Sequence, residues 1–185
     1  MKNRKQYISS FSPQKSDTIT FDTNILIKLL YPVNYKNTYL AYENLFNEIL
    51  HKKSNLIISS IQISEFINRC IRLQYTLYIE ENNLSNYDFK SQYRETTDYR
   101  DSMNAILEIV KSDILSNFTF VDDCFSKMQQ NNIFIYGFSY DFNDAFLVEF
   151  SKIYNAILVT DDTDFGNYNT NINIVTANKK LLLFT

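Results

Sequence analysis

Apolar positions along the chain recur at two alternating spacings. Short β-branched and aromatic runs at 18–21, 56–58, 118–121, 156–160 and 172–175 read as strands. Ile157, Leu158 and Val159 follow one another without polar alternation, as in a parallel strand covered on both faces. Between these runs the spacing lengthens to that of a helix. Residues 25–30 form a short helix ending near Pro32, and Tyr42, Leu45, Phe46, Ile49 and Leu50 mark a second. Ser59 with Gln62 three residues on has the form of a capping box, and Ile63, Phe66, Ile67, Cys70 and Ile71 continue along one helical face. Met103, Ile106, Leu107, Val110 and Ile114 mark another helix, a short one follows Asp123, and Phe142, Ala145, Phe146, Phe150 and Ile153 mark a late one. Strands alternating with helices predict a three-layer α/β/α fold around a central, mostly parallel sheet of about five strands.

Length and composition narrow this frame. With 185 residues the chain forms one domain able to bury its own core. Residues 1–16 carry Lys2, Arg4, Lys5 and Lys15 without an acid and are set apart as a basic N-terminal extension, free to be flexible. The domain proper spans 17–185, with a polar insertion at about 80–102. No continuous apolar core follows the basic start, which therefore does not read as a signal peptide, and no run approaches the ~20 apolar residues of a membrane helix. Cys70 and Cys124 lack metal-ligand spacing and read as buried reduced thiols, which predicts a cytoplasmic setting. With only Gly137 and Gly166, a glycine-rich phosphate loop is excluded.

Candidate chemistry lies in four acidic segments placed where strands end or helices begin. Asp22 ends the first strand, Glu65 lies in the first turns of the capped helix, Asp141 and Asp144 open the late helix, and Asp161, Asp162 and Asp164 follow the buried strand. Each has a plain structural alternative: a helix cap at Asp22, with Thr23 or Asn24 as neighbouring caps; an ion pair from Glu65 to Arg69; a cap at Asp141; a solvated turn at 161–164. In an open parallel sheet, however, strand ends meet on one side, and converging carboxylates there make an oxygen-rich pocket for a hard divalent cation. That arrangement points to a metal-dependent nuclease. The net charge of −3 discriminates weakly, because bound cations neutralise part of it.

Asp22-Thr23-Asn24, Ser64-Glu65, Asp144-Ala145 and the run from Thr160 to Phe165, in this order, resemble the motifs of the PIN domain family. These are metal-dependent ribonucleases that include VapC-type toxins of toxin–antitoxin pairs. The resemblance covers about 18–175. It implies Asp22, Glu65, Asp144 and Asp162 as the core acidic set, Asp164 and Asn24 close by, and the Thr160 hydroxyl in support. It further implies Mg²⁺ or Mn²⁺, an RNA substrate, an antitoxin protein as partner and a homodimer. The basic extension, the insertion and the additional Asp141 and Asp161 depart from a compact member of the family.

Two rivals differ in testable ways. A haloacid-dehalogenase-like phosphatase needs a second Asp two positions after its nucleophile, where this chain has Asn24. A catalytically inactive module that binds RNA or protein would carry costly buried carboxylates without use. The single histidine, His51, ends a helix away from the acidic segments and reads as surface.

Overall fold

The computed structural model describes residues 4–31, 39–134, 142–167 and 171–183. In chain order they form β1 (Arg4–Tyr7), β2 (Thr18–Phe21), α1 (Thr23–Leu30), α2 (Leu40–Lys52), β3 (Asn55–Ile58), α3 (Ser60–Glu81) and α4 (Thr97–Ile109). A π turn at Val110–Ile114 leads to α5 (Leu115–Asn117), followed by β4 (Thr119–Phe120), α6 (Gln130–Ile133), α7 (Phe142–Ile153), β5 (Ile157–Val159), β6 (Asn173–Thr176) and α8 (Lys179–Leu183). The strands make one sheet in the order β1-β6-β5-β2-β3-β4, and every pairing is parallel.

Successive strand residues point to opposite faces, which divides the core in two. Leu56, Ile58, Val159 and Val175 pack with α1, α2, α3 and α4 on one side. Their neighbours Ile57, Leu158 and Ile174 pack with α6, α7 and α8 on the other. The sheet is thus the middle of three layers, which explains why β5 is apolar without alternation. Among the described residues no helix is long and apolar enough to cross a membrane.

From β2 the chain builds outward through β3 to β4, then returns to place β5 on the other side of β2. The carboxyl ends of β2 and β5 therefore lie side by side where the strand order reverses, the place at which open α/β sheets form their sites. Register fixes the detail: Phe21 pairs with Val159, so Asp22 and Thr160 are the next residue on each strand.

Helix α3 is locked to this point by its cap. Ser59 and Gln62 form the expected capping box, with Gln62 Oε1 accepting from the Ser59 amide at 3.0 Å and the Ser59 hydroxyl accepting from the Gln62 amide at 3.3 Å. The Gln62 side-chain amide then donates to the Phe21 carbonyl at 2.7 Å and the Thr20 hydroxyl at 3.1 Å. Buried Gln62 thereby ties the start of α3 to the end of β2, and Glu65 follows one helical turn later.

Three elements differ from expectation. Arg4–Tyr7, inside the stretch set apart as an extension, pairs with β6 as an edge strand. Its mixed side chains are only partly buried, so it carries no apolar run. Helix α4 starts at Thr97, six residues before Met103, capped by the Thr96 hydroxyl; its first turns hold no fully buried residue and lack apolar periodicity. The insertion is part helix and part packed loop: Phe89 and Tyr93 are buried, each with its ring centroid 5.2–5.7 Å from Tyr75 or from the other. Cys70 is buried, with its thiol pushed up to about 12 by burial, whereas Cys124 is half-buried.

Replacing Gln62 with Ala strands the Phe21 carbonyl and the Ser59 amide in the core. The expected loss is about 2–4 kcal/mol, measured as a lower urea midpoint with unchanged slope.

Candidate active site

Asp22 is held on every polar atom it has. Its amide donates to the Val159 carbonyl at 2.9 Å, which extends the β2–β5 ladder by one residue. Its Oδ1 accepts from the Asn24 amide at 3.1 Å, and Oδ2 accepts from the Thr160 hydroxyl at 2.7 Å. Asp22, not Thr23 or Asn24, is the N-cap of α1. Cap and candidate ligand are thus the same side chain.

Thr160, fully buried, passes the constraint onward. Its hydroxyl oxygen also accepts from the Asp162 amide at 3.0 Å, and Asp162 Oδ1 accepts from the Asp164 amide at 2.9 Å. The Thr160 carbonyl accepts from the Tyr42 hydroxyl at 3.3 Å, and the same hydroxyl oxygen accepts from the Ala177 amide at 2.9 Å. Asp161 turns elsewhere, with its carboxylate on Lys28 at 2.6 Å. Glu65 stands at the rim, Oε2 accepting from the Thr23 hydroxyl at 3.0 Å and Oε1 paired with Arg69 at 3.3 Å. The ion pair expected for Glu65 is therefore present in addition to its place beside the site.

The electrostatics of Asp22 follow from this setting. It is only 5 % exposed, and burial pushes its carboxyl from 3.8 to about 6. Hydrogen bonds from Thr160 and Asn24 oppose the rise, while the charges of Asp162 and Glu65 add to it. No ion pair described in the structure takes in Asp22.

Glu65 and Asp162 are thus each brought within electrostatic reach of Asp22. Asp144 lies half-buried in the first turn of α7, ahead of buried Ala145. Asp141 lies outside the described residues. As they stand, no three His, Cys, Asp or Glu side chains among the described residues form a group able to hold a metal ion. Sequence reasoning misses the partners: Thr23 on Glu65, Lys28 on Asp161, and Tyr42 under Thr160. Only Lys28 leaves a signal, one helical turn beyond Asn24 on α1.

The model of the PIN domain matches residues 19–171. This chain belongs to the PIN domain family. The match takes in Asp22, Glu65, Asp144, Asp162 and Asp164, and it displaces the phosphatase reading. Among solved structures, VapBC2 from Rickettsia felis bound to a DNA fragment from its promoter aligns at 20 % identity and a TM-score of 0.47, covering 86 % of this PIN chain and 98 % of that one. Among curated proteins none matches.

The raised Asp22 carboxyl binds its proton more tightly in the folded state than in the unfolded one. The associated stability is full below about pH 4 and is lost as pH rises through about 6. In metal-free buffer Asp22→Asn should therefore become more stable than wild type across this interval, by on the order of 2–3 kcal/mol above pH 6. Urea unfolding from pH 4 to 7.5 checks this, and a difference that stays flat with pH contradicts it.

Proposed function

We propose that this PIN domain is a metal-dependent endoribonuclease whose catalytic acids are Asp22, Glu65, Asp144 and Asp162, with Asp164, Asn24, Thr160 and Asp141 in support. The observation that carries this reading is the buried Asp22 carboxylate, fixed by Thr160 within reach of the like charges of Asp162 and Glu65. A carboxylate with no ion pair among the described residues, made harder to ionise by two neighbours, has no structural benefit that an Asn or Ser cap would lack.

The donor set fits Mg²⁺ or Mn²⁺. Every candidate ligand is an oxygen, and Mg²⁺, which keeps several of its waters, is held by one or two carboxylates rather than by a closed cage. Asp22 and Asp162 would hold it, with Glu65, Asp144 and Asp164 around them. When bound, such an ion lowers the pKa of a water and offsets charge on the attacked phosphate. The chain's own residues supply orientation. Thr160 and the Asn24 amide fix both oxygens of Asp22, the Asp164 amide fixes Asp162, and Thr23 with Arg69 sets Glu65 at the open rim.

PIN proteins include VapC-type toxins, and on this reading the chain is the toxin of such a pair, a cytoplasmic homodimer with an antitoxin protein as partner. Co-purification of a small protein encoded beside it tests that part.

The purified protein should cleave a mixed RNA pool with Mg²⁺ or Mn²⁺ and stop in EDTA. Asp22→Asn and Asp162→Asn should each lower the rate at least about 100-fold while keeping the fold. Glu65→Gln separates its two roles: loss of the Arg69 pair alone costs about 0.3–0.5 kcal/mol of stability and leaves cleavage intact. Cleavage that persists in EDTA, or an Asp22→Asn protein as fast as wild type, overturns the proposal.

A further inference from the structure

Beside the acidic site, α1 and α3 enclose a groove of about 270 Å³. Ile27 and Leu73 form apolar walls, and Lys28, Arg69 and Arg72 supply three cations. Three of its lining residues bond directly to the acidic segments: the Asn24 amide to Asp22, Arg69 to Glu65, and Lys28 to Asp161. The groove therefore continues from the site. From Arg69 it reaches Thr76, about 10 Å farther along α3.

Arg72 is the distinctive residue. Its guanidinium lies 3.6 Å from the centroid of the Phe89 ring, and Arg94 lies 5.2 Å from the same ring. No ion pair described in the structure takes in Arg72. Stacking on an aromatic face holds a guanidinium in plane while leaving its edge donors free, the geometry that grips a phosphate with two parallel bonds. Phe89 belongs to the packed loop of the insertion, and through this ring the loop presents Arg72 to the groove.

We infer that the α1–α3 groove is a nucleotide subsite, which takes one unpaired nucleotide of a single-stranded RNA adjacent to the cleaved bond, its phosphodiester on Arg72 and Arg69 and its base against Ile27 and Leu73. This inference rests on the nuclease reading for the identity of the strand, but the groove is testable without cleavage. Its volume of about 270 Å³ suits one nucleotide rather than a duplex. Apolar side chains together with planar cations in one groove fit a base with its phosphate better than they fit an acidic peptide.

The test is binding of a fluorescent single-stranded oligoribonucleotide in EDTA, followed by anisotropy at several salt concentrations, for wild type, Arg72→Gln, Arg72→Lys and the remote exposed control Lys111→Gln. Loss of one phosphate contact should weaken Arg72→Gln about fivefold at 0.1 M salt and make the log–log salt slope shallower by about 0.7. Arg72→Lys, which serves if the Gln variant fails to fold, should keep the slope and lose affinity. Lys111→Gln should match wild type. Equal affinity and slope for wild type and both Arg72 variants, or no binding by wild type, overturns the subsite. So does an acidic peptide of equal charge that competes as well as the oligonucleotide and depends equally on Arg72. A parallel Mg²⁺ cleavage assay separates the two claims. Cleavage with no Arg72 effect on binding removes the subsite alone, and an Arg72 effect without any cleavage removes the nuclease reading alone.

Discussion

A buried hydroxyl holds together the two halves of the sheet where its strand order reverses. Thr160 donates to Asp22 across the β2–β5 junction and accepts from the Asp162 amide on its own strand's exit. One side chain thus bonds the carboxylate of an acid from one half and the backbone of an acid from the other. The surrounding structure serves this bond. Tyr42 pins the Thr160 carbonyl to the β6 exit, and Gln62 fastens α3 to the last carbonyl of β2. Loss of Thr160 would remove a stabilising donor from a carboxylate that burial already disfavours.

The same geometry explains why acids sit here at all. Burial and like charge both resist ionisation of Asp22, and two hydrogen bonds favour it. Cations are present nearby, but each described contact they make is with another group: Lys28 with Asp161, Arg69 with Glu65, and Arg72 with the Phe89 ring. Positive charge therefore lines the approach while the centre stays acidic. An anionic strand can be guided toward carboxylates only where such a separation exists.

Much of this order is legible in the sequence, and the illegible remainder has physical causes. Strand β5 and the Ser59–Gln62 box are readable because burial on both faces and helix capping act over a few residues. The edge strand β1 is not, because its pairing with β6 joins residues 4–7 to residues 173–176 and its side chains are only partly buried. Cap and ligand look like alternatives for Asp22 in the sequence, but one carboxylate has two oxygens, and the cap uses one of them. The Lys28–Asp161 and Thr23–Glu65 contacts join positions far apart in sequence, which no local pattern encodes. The tyrosine-rich stretch after α3 reads as a polar insertion because its aromatic side chains are interspersed with Asn, Ser and charge, although Phe89 and Tyr93 join the core on the α1–α4 side of the sheet.

The central claim is that Asp22, held by Thr160 beside Asp162 and Glu65, is a carboxylate waiting for a cation. Titration calorimetry of Mn²⁺ into the protein, repeated in buffers of different ionisation enthalpy, reads both binding and the protons it releases. With the Asp22 carboxyl raised to about 6, binding at pH 6 should release about half a proton, and the release should vanish near pH 8, where Asp22 is already ionised. Absence of Mn²⁺ binding, or binding with the same proton count at both pH values, would contradict the account.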